Sequence, residues 1–199
     1  MALTKTQLKI MEVFVSRINE RFSIKKISET IKKPYPLVHR SVQLLIQDKF
    51  LTKDKQNFLS LNYKDNLPEL AYVESLRKKE FLRKKKTIAL FIKDILNKIK
   101  LDFFIFLIFG SSAEKKQKPR DVDILFIVEN KDNLNKVEKI LNNTTSDFSQ
   151  KFDINVITAE SVHEMLAKRD EANVMNQTLD KHILLFGDEN YYRMLKHVR

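Results

Sequence analysis

The 199-residue chain has no cysteine and no tryptophan, and only two glycines and four prolines. Without cysteine it forms no disulfide, offers no thiolate nucleophile and holds no Cys-ligated zinc, which suits a reducing compartment. Its four histidines, His39, His163, His182 and His197, are scattered without the spacing of metal ligands. The longest apolar run, Phe103 to Phe109, is about a third of the ~20 residues that span a bilayer. The opening MALTKTQLKI lacks the continuous apolar segment of a secretion signal. These absences lead to the expectation of a soluble, cytoplasmic protein with no membrane partner.

With 43% hydrophobic residues the chain can bury one core or two small ones. Its net charge of +11 is unevenly placed. Residues 1 to 100 carry 23 Lys and Arg against 10 Asp and Glu, whereas the remainder carries 14 against 16. Such asymmetry predicts a front half that faces nucleic acid and a back half with different work.

Along residues 4 to 19, Leu8, Met11, Val15 and Ile18 fall on one face at helical spacing, with Thr4 as N-cap. Ile24, Ile27 and Ile31 mark a second short helix. Lys33-Pro34-Tyr35-Pro36 breaks the pattern before Leu37, Val38, Val42, Leu45 and Ile46 mark a third, to about Asp48. Phe50 to Thr52 and Asn57 to Asn62 read as two short strands. Pro68 to Lys100 reads as one long helix or two in tandem, packing through Leu82, Ile88, Phe91, Ile92, Ile95 and Ile99 and carrying Arg77-Lys78-Lys79 and Arg83 to Lys86 on an outward or ligand-facing side. From Asp102 onward strands and helices alternate, an α/β pattern: strands at 103–109, 121–128 and 152–158, helices near 132–142, 160–168 and 173–184, a short strand at Leu184 to Phe186, and a last helix from Glu189. The expected division is 1–65, a helical connector 66–100, and 101–199.

Glycine serves where a backbone must take positive φ or approach a ligand closely. A chain this poor in it keeps Gly110 at the end of the run FFIFLIF, followed by Ser111 and Ser112. Backbone N–H groups and hydroxyls in such a turn can hold phosphate oxygens. Asp121-Val122-Asp123 then opens a second apolar stretch, ILFIV. Alternation puts Asp121 and Asp123 on one face of a strand, ~6–7 Å apart, within reach of the same cations. Carboxylates are the ligands magnesium accepts, and phosphoryl chemistry needs such hard cations to neutralise and align its oxygens. Asp153, in KFDINVI, is the candidate third acid.

Two resemblances follow from these residues. The three helices and two strands of residues 1–65 resemble a winged helix-turn-helix domain. The resemblance implies that Tyr35, His39, Arg40 and Gln43 on the third helix, with Lys53 and Lys55 on the wing, contact nucleic acid. Such domains often dimerise, so a homodimer is compatible with it.

Residues 85–199 resemble the minimal nucleotidyltransferases of the DNA polymerase beta superfamily, most specifically in Gly110-Ser111-Ser112-Ala113 and Asp121-Val122-Asp123-Ile124. FDINVIT and HILLFGDENYY resemble later segments of that family. The likeness implies a mixed-sheet nucleotidyltransferase core in which Gly110, Ser111 and Ser112 hold a nucleoside triphosphate, while Asp121, Asp123 and Asp153 bind magnesium, as two ions for which manganese can substitute. Three departures stand out: Lys115 replaces a second glycine, Arg120 replaces a serine, and the spacing is one residue short. Lys115, with Lys116 and Lys118, supplies phosphate-binding charge instead.

The implied activity is transfer of a nucleoside monophosphate from NTP to a hydroxyl, on a tRNA or nucleic-acid 3′ end or on a protein such as a partner toxin. The alternative is a transcriptional regulator that senses a nucleotide without turning it over.

Overall fold

The computed structural model describes residues 3–113, 120–168 and 172–198. Helix α1, Lys5–Ser16, opens on a reciprocal cap: the Thr4 hydroxyl accepts from the Gln7 N–H and the Gln7 side chain accepts from the Thr4 N–H. Ser23 caps α2, Ile24–Ile31, which stops at Lys32 in the left-handed region. Helix α3, Tyr35–Gln47, begins two residues before Leu37, the start expected from sequence. Pro36 sits in its first turn, where the missing N–H would have no partner in any case, so the proline that reads as a breaker begins the helix.

Strands β1, Leu51–Lys53, and β2, Leu59–Leu61, pair antiparallel. The Asp54 carboxylate shapes the turn between them by accepting from the N–H groups of Gln56 and Phe58, each at 2.9 Å.

Helices α4, Leu67–Lys84, and α5, Lys86–Lys98, are two in tandem, separated at Lys85. The break lets the apolar stripe change sides. Leu70 and Val73 join the buried cluster of the front module, whereas Ile88, Phe91, Ile92 and Ile95 cover the far face of the main sheet.

That sheet has four strands in the order β5-β4-β3-β6. They are β3, Phe104–Phe109, β4, Asp121–Val128, β5, Lys151–Thr158, and β6, His182–Phe186. Strand β3 runs antiparallel to β4 and β6, and β4 runs parallel to β5, so the fold is mixed α/β. The continuous apolar run of β3 follows from its place: it is central, buried along its whole length, and covered on both faces. Helices α6, Lys131–Thr145, α7, Ala159–Ala167, α8, Val174–Asp180, and α9, Asp188–Val198, complete the chain.

One sheet face, with Phe104, Phe106, Val122, Ile124 and Phe126, packs on α5 and α6. The opposite face, with Ile105, Leu107, Leu125, Ile127 and Leu184, shares one cluster with Tyr191 and Tyr192 of α9 and with Ile10, Phe14, Val42 and Leu45 of the front module. No helix among the described residues is long and apolar enough to cross a membrane.

Candidate functional site

The first residues of β4 and β5 bring the three aspartates to one side of the sheet. Asp123 pairs with Asp153 in the parallel register, and Asp121 pairs with Lys151. Registered partners on neighbouring strands project from the same face, and residues two apart on one strand do likewise. This face continues inward as Leu125 and Ile127, so the acids sit where an apolar surface meets solvent. Asp153 is exposed, Asp121 and Asp123 half-buried. The Asp121 Oδ1 atom is buried and has no hydrogen-bond partner. Burial raises the Asp123 carboxyl above its ordinary range, and the charges of Asp153 and Asp121 push the same way against an opposing bond from Ser112.

The turn after β3 is a single 3-10 stretch, Gly110–Ala113. Gly110 has φ +64, and a Cβ there would lie 3.1 Å from Asp123 Oδ2. Positive φ and the tight approach to a carboxylate both call for glycine. The Gly110 N–H donates to the Lys181 carbonyl at 3.2 Å, which ties the turn to the residue preceding β6. Ser111 is exposed, but Ser112 is buried and turned inward. Its hydroxyl donates to the Asp121 carbonyl at 2.9 Å and accepts from the Asp123 N–H at 3.3 Å, so it braces the start of β4. Lys115 lies outside the described residues. An open groove of about 370 Å³ at the start of β5 is lined by Asp121 and Asp153 but not Asp123, with Lys151, Gln150, Phe148 and Phe152 beside them.

Three carboxylates thus share one face, one of them with an orphaned buried oxygen. Among the described residues no three His, Asp or Glu side chains form a ready metal cage. Magnesium is commonly held by one or two carboxylates together with substrate phosphates and water, so such a cage is not a requirement of the chemistry.

On the front module, Tyr35, His39, Arg40 and Gln43 are all exposed along α3, and Lys53 and Lys55 are exposed on and beside β1. The rings of Tyr35 and His39 lie 6.0 Å apart. Leu37 and Leu44 are exposed on the same helix. Arg21, absent from the sequence expectation, joins this surface: its guanidinium pairs with Asp54 at 3.1 Å and lies over the Phe58 ring.

A second polar group is buried beneath α4. Glu74 is fully inaccessible and ion-pairs with Arg77, while Tyr192 donates to it at 2.8 Å and His182 Nε2 lies 3.3 Å away. Burial alone would raise the Glu74 carboxyl, but the Arg77 charge, the bond and charge of His182 and the Tyr192 bond together bring it below its ordinary value. Burial, then the Glu74 charge, pushes the Tyr192 phenol well up. Burial likewise raises Asp188, against the Lys78 charge. Arg77 and Lys78 therefore do not present an outward basic run: they bond the backbone carbonyls of His182 and Leu185. The sequence does carry a signal for this, because Leu70, Val73, Glu74, Arg77 and Phe81 share one helical face.

No family model matches the chain, and no curated protein matches it. Among solved structures it aligns with the crystal structure of Pseudomonas aeruginosa HmgR, at 21% identity and a TM-score of 0.27. The alignment covers 60% of this chain and 43% of that one, less than half of the HmgR chain. A similarity this slight carries no argument about fold or function.

Proposed function

We propose that this protein is a magnesium-dependent nucleotidyltransferase with a winged helix-turn-helix module at its front. The observation that carries the reading is the parallel register of Asp123, which lies against the Gly110 turn, with Asp153, a third acid beside the Asp121–Asp123 pair. Asp121, Asp123 and Asp153 would hold the cation, which when bound supplies charge neutralisation for the triphosphate oxygens. The exposed Ser111 hydroxyl would meet the triphosphate, while the Gly110 N–H is taken by the Lys181 carbonyl and Ser112 keeps the turn against β4. The acceptor hydroxyl attacks the α-phosphorus and forms a new P–O bond. The P–O bond to pyrophosphate breaks, and the hydroxyl proton passes to a carboxylate or to water.

The basic front half favours a nucleic-acid acceptor, a tRNA or a 3′ end. In this reading α3 is the recognition helix, Arg40 and Gln43 read base edges, and Lys53 and Lys55 of the β1–β2 wing meet phosphates. The decisive experiment supplies NTPs labelled on the α-phosphate, magnesium, and either tRNA or cell extract. Label appearing on RNA, and lost in Asp123→Ala, supports the proposal; label on a protein band would move the acceptor to a protein. Transfer that persists in Asp123→Ala overturns the assignment of the acids.

One observation favours a second reading, a DNA-binding regulator that senses a nucleotide without turnover: Lys115 stands where the resembled motif has its second glycine. Sequence-selective duplex binding that responds to NTP, without pyrophosphate release, would establish it.

A further inference from the structure

His182 is anchored at three of its polar atoms. Its Nδ1 bonds the Thr178 carbonyl at 2.7 Å, its Nε2 lies 3.3 Å from Glu74 Oε1, and its carbonyl accepts from Arg77 Nη2 at 2.6 Å. Glu74 is held in turn by Arg77 and by the Tyr192 hydroxyl, and all four side chains are buried or nearly so. The residue just before His182 supplies the carbonyl that receives the Gly110 N–H. His182 itself pairs with Phe109, the residue just before Gly110. One covalent step on each strand thus separates the buried ionic group from the only described turn that touches Asp123 through a glycine.

We infer that Glu74, Arg77 and His182 are positioning residues for the Gly110 turn: together they fix the start of β6, and through the Lys181 carbonyl and the Phe109–His182 pair they hold the turn in its left-handed conformation against Asp123. The inference rests on the nucleotidyl-transfer reading for its catalytic consequence, though not for its structural one. A hydrophobic residue at 74 would satisfy packing alone. An ionised group desolvated at this cost needs several directed partners, and those partners fix orientation as packing alone does not. Three directed bonds on one imidazole residue define the strand's position to the tolerance that a phosphate-binding turn requires. None of the three touches the triphosphate, so the expected signature is on substrate binding.

The test uses the full chain with Glu74→Gln, which keeps shape and removes charge, and Tyr192→Phe, which deletes one hydroxyl. Amide exchange followed by NMR without nucleotide should show the Gly110 N–H exchanging at least tenfold faster in Glu74→Gln, with Leu107 in mid-β3 little changed. In steady-state assays KM for the NTP should rise about tenfold while kcat stays within about twofold. Tyr192→Phe should move both readouts the same way by about threefold, and it carries the test alone if Glu74→Gln fails to fold. A variant with a lower Tm but unchanged Gly110 exchange and unchanged KM overturns the inference and leaves the group as a packing brace. If the wild-type protein transfers no nucleotide, the exchange measurement still decides the clamp, and the functional reading fails separately.

Discussion

Gly110 backs directly onto Asp123: a Cβ would stand 3.1 Å from the carboxylate oxygen, so a methyl there would push the carboxylate back by a few tenths of an ångström. Gly110→Ala meets both that contact and a positive φ, and should lower stability by about 1–2 kcal/mol. Urea melts give the stability, and the label-transfer assay should show a larger proportional loss, because the acid is displaced as well.

Asp123, the acid the proposed function relies on, is held at a cost to folding. Its folded carboxyl is raised by burial and by its two acidic neighbours, so the penalty is present when the group is charged. The penalty disappears as pH falls through the folded pKa, and below the unfolded value both states carry the proton. Asp123→Asn should therefore raise Tm at neutral pH, with the advantage over wild type shrinking to nothing in acid. Calorimetry across pH checks this, and nucleotide transfer should be abolished in the same variant.

Glu74 has the opposite sign. Its folded carboxyl is depressed by Arg77, His182 and Tyr192 against its own burial. It contributes stability that is complete above the unfolded carboxyl value and is lost as pH falls through the folded one. Acid denaturation of Glu74→Gln should be less steep over that window. Glu74→Ala, which leaves Arg77 buried without its partner, should cost about 3–5 kcal/mol.

The surface of α3 separates base reading from charge. Arg40→Ala and Gln43→Ala should each weaken binding to a preferred site by about 1–3 kcal/mol and relax selectivity there. Lys53→Ala with Lys55→Ala should weaken binding to all sequences and flatten the dependence on salt. Fluorescence anisotropy at two ionic strengths distinguishes the two effects.

Much of the back half was legible because local pattern and tertiary environment agree there. The stretch 121–128 is a strand with the expected bounds, and Gly110 does sit at positive φ. Elements whose partners are remote in sequence were harder to read. The segment before Leu184 looks helical in isolation, yet His182 and Ile183 already belong to β6. Nothing local marks His182 as buried, because Glu74, which makes its burial tolerable, lies 108 positions away. Arg77 and Lys78 misled for the same reason, since their acceptors are carbonyls of that strand. The parallel register that aligns Asp153 with Asp123 had no local signal either; the acid could be nominated by its strand, but its row is set by the turn and helix between them.

Strand β5 is one of the two edge strands of the sheet and pairs on one side only among the described residues. Its acid is exposed, and its neighbours along the strand are only partly buried. Replacing Asp153 would disturb little of the hydrophobic interior, whereas Asp121 and Asp123 open a strand whose remainder is buried. Foldability and the proposed turnover are thus decoupled at one position: a single surface exchange at 153 removes the third acid and leaves the melting behaviour almost unaltered.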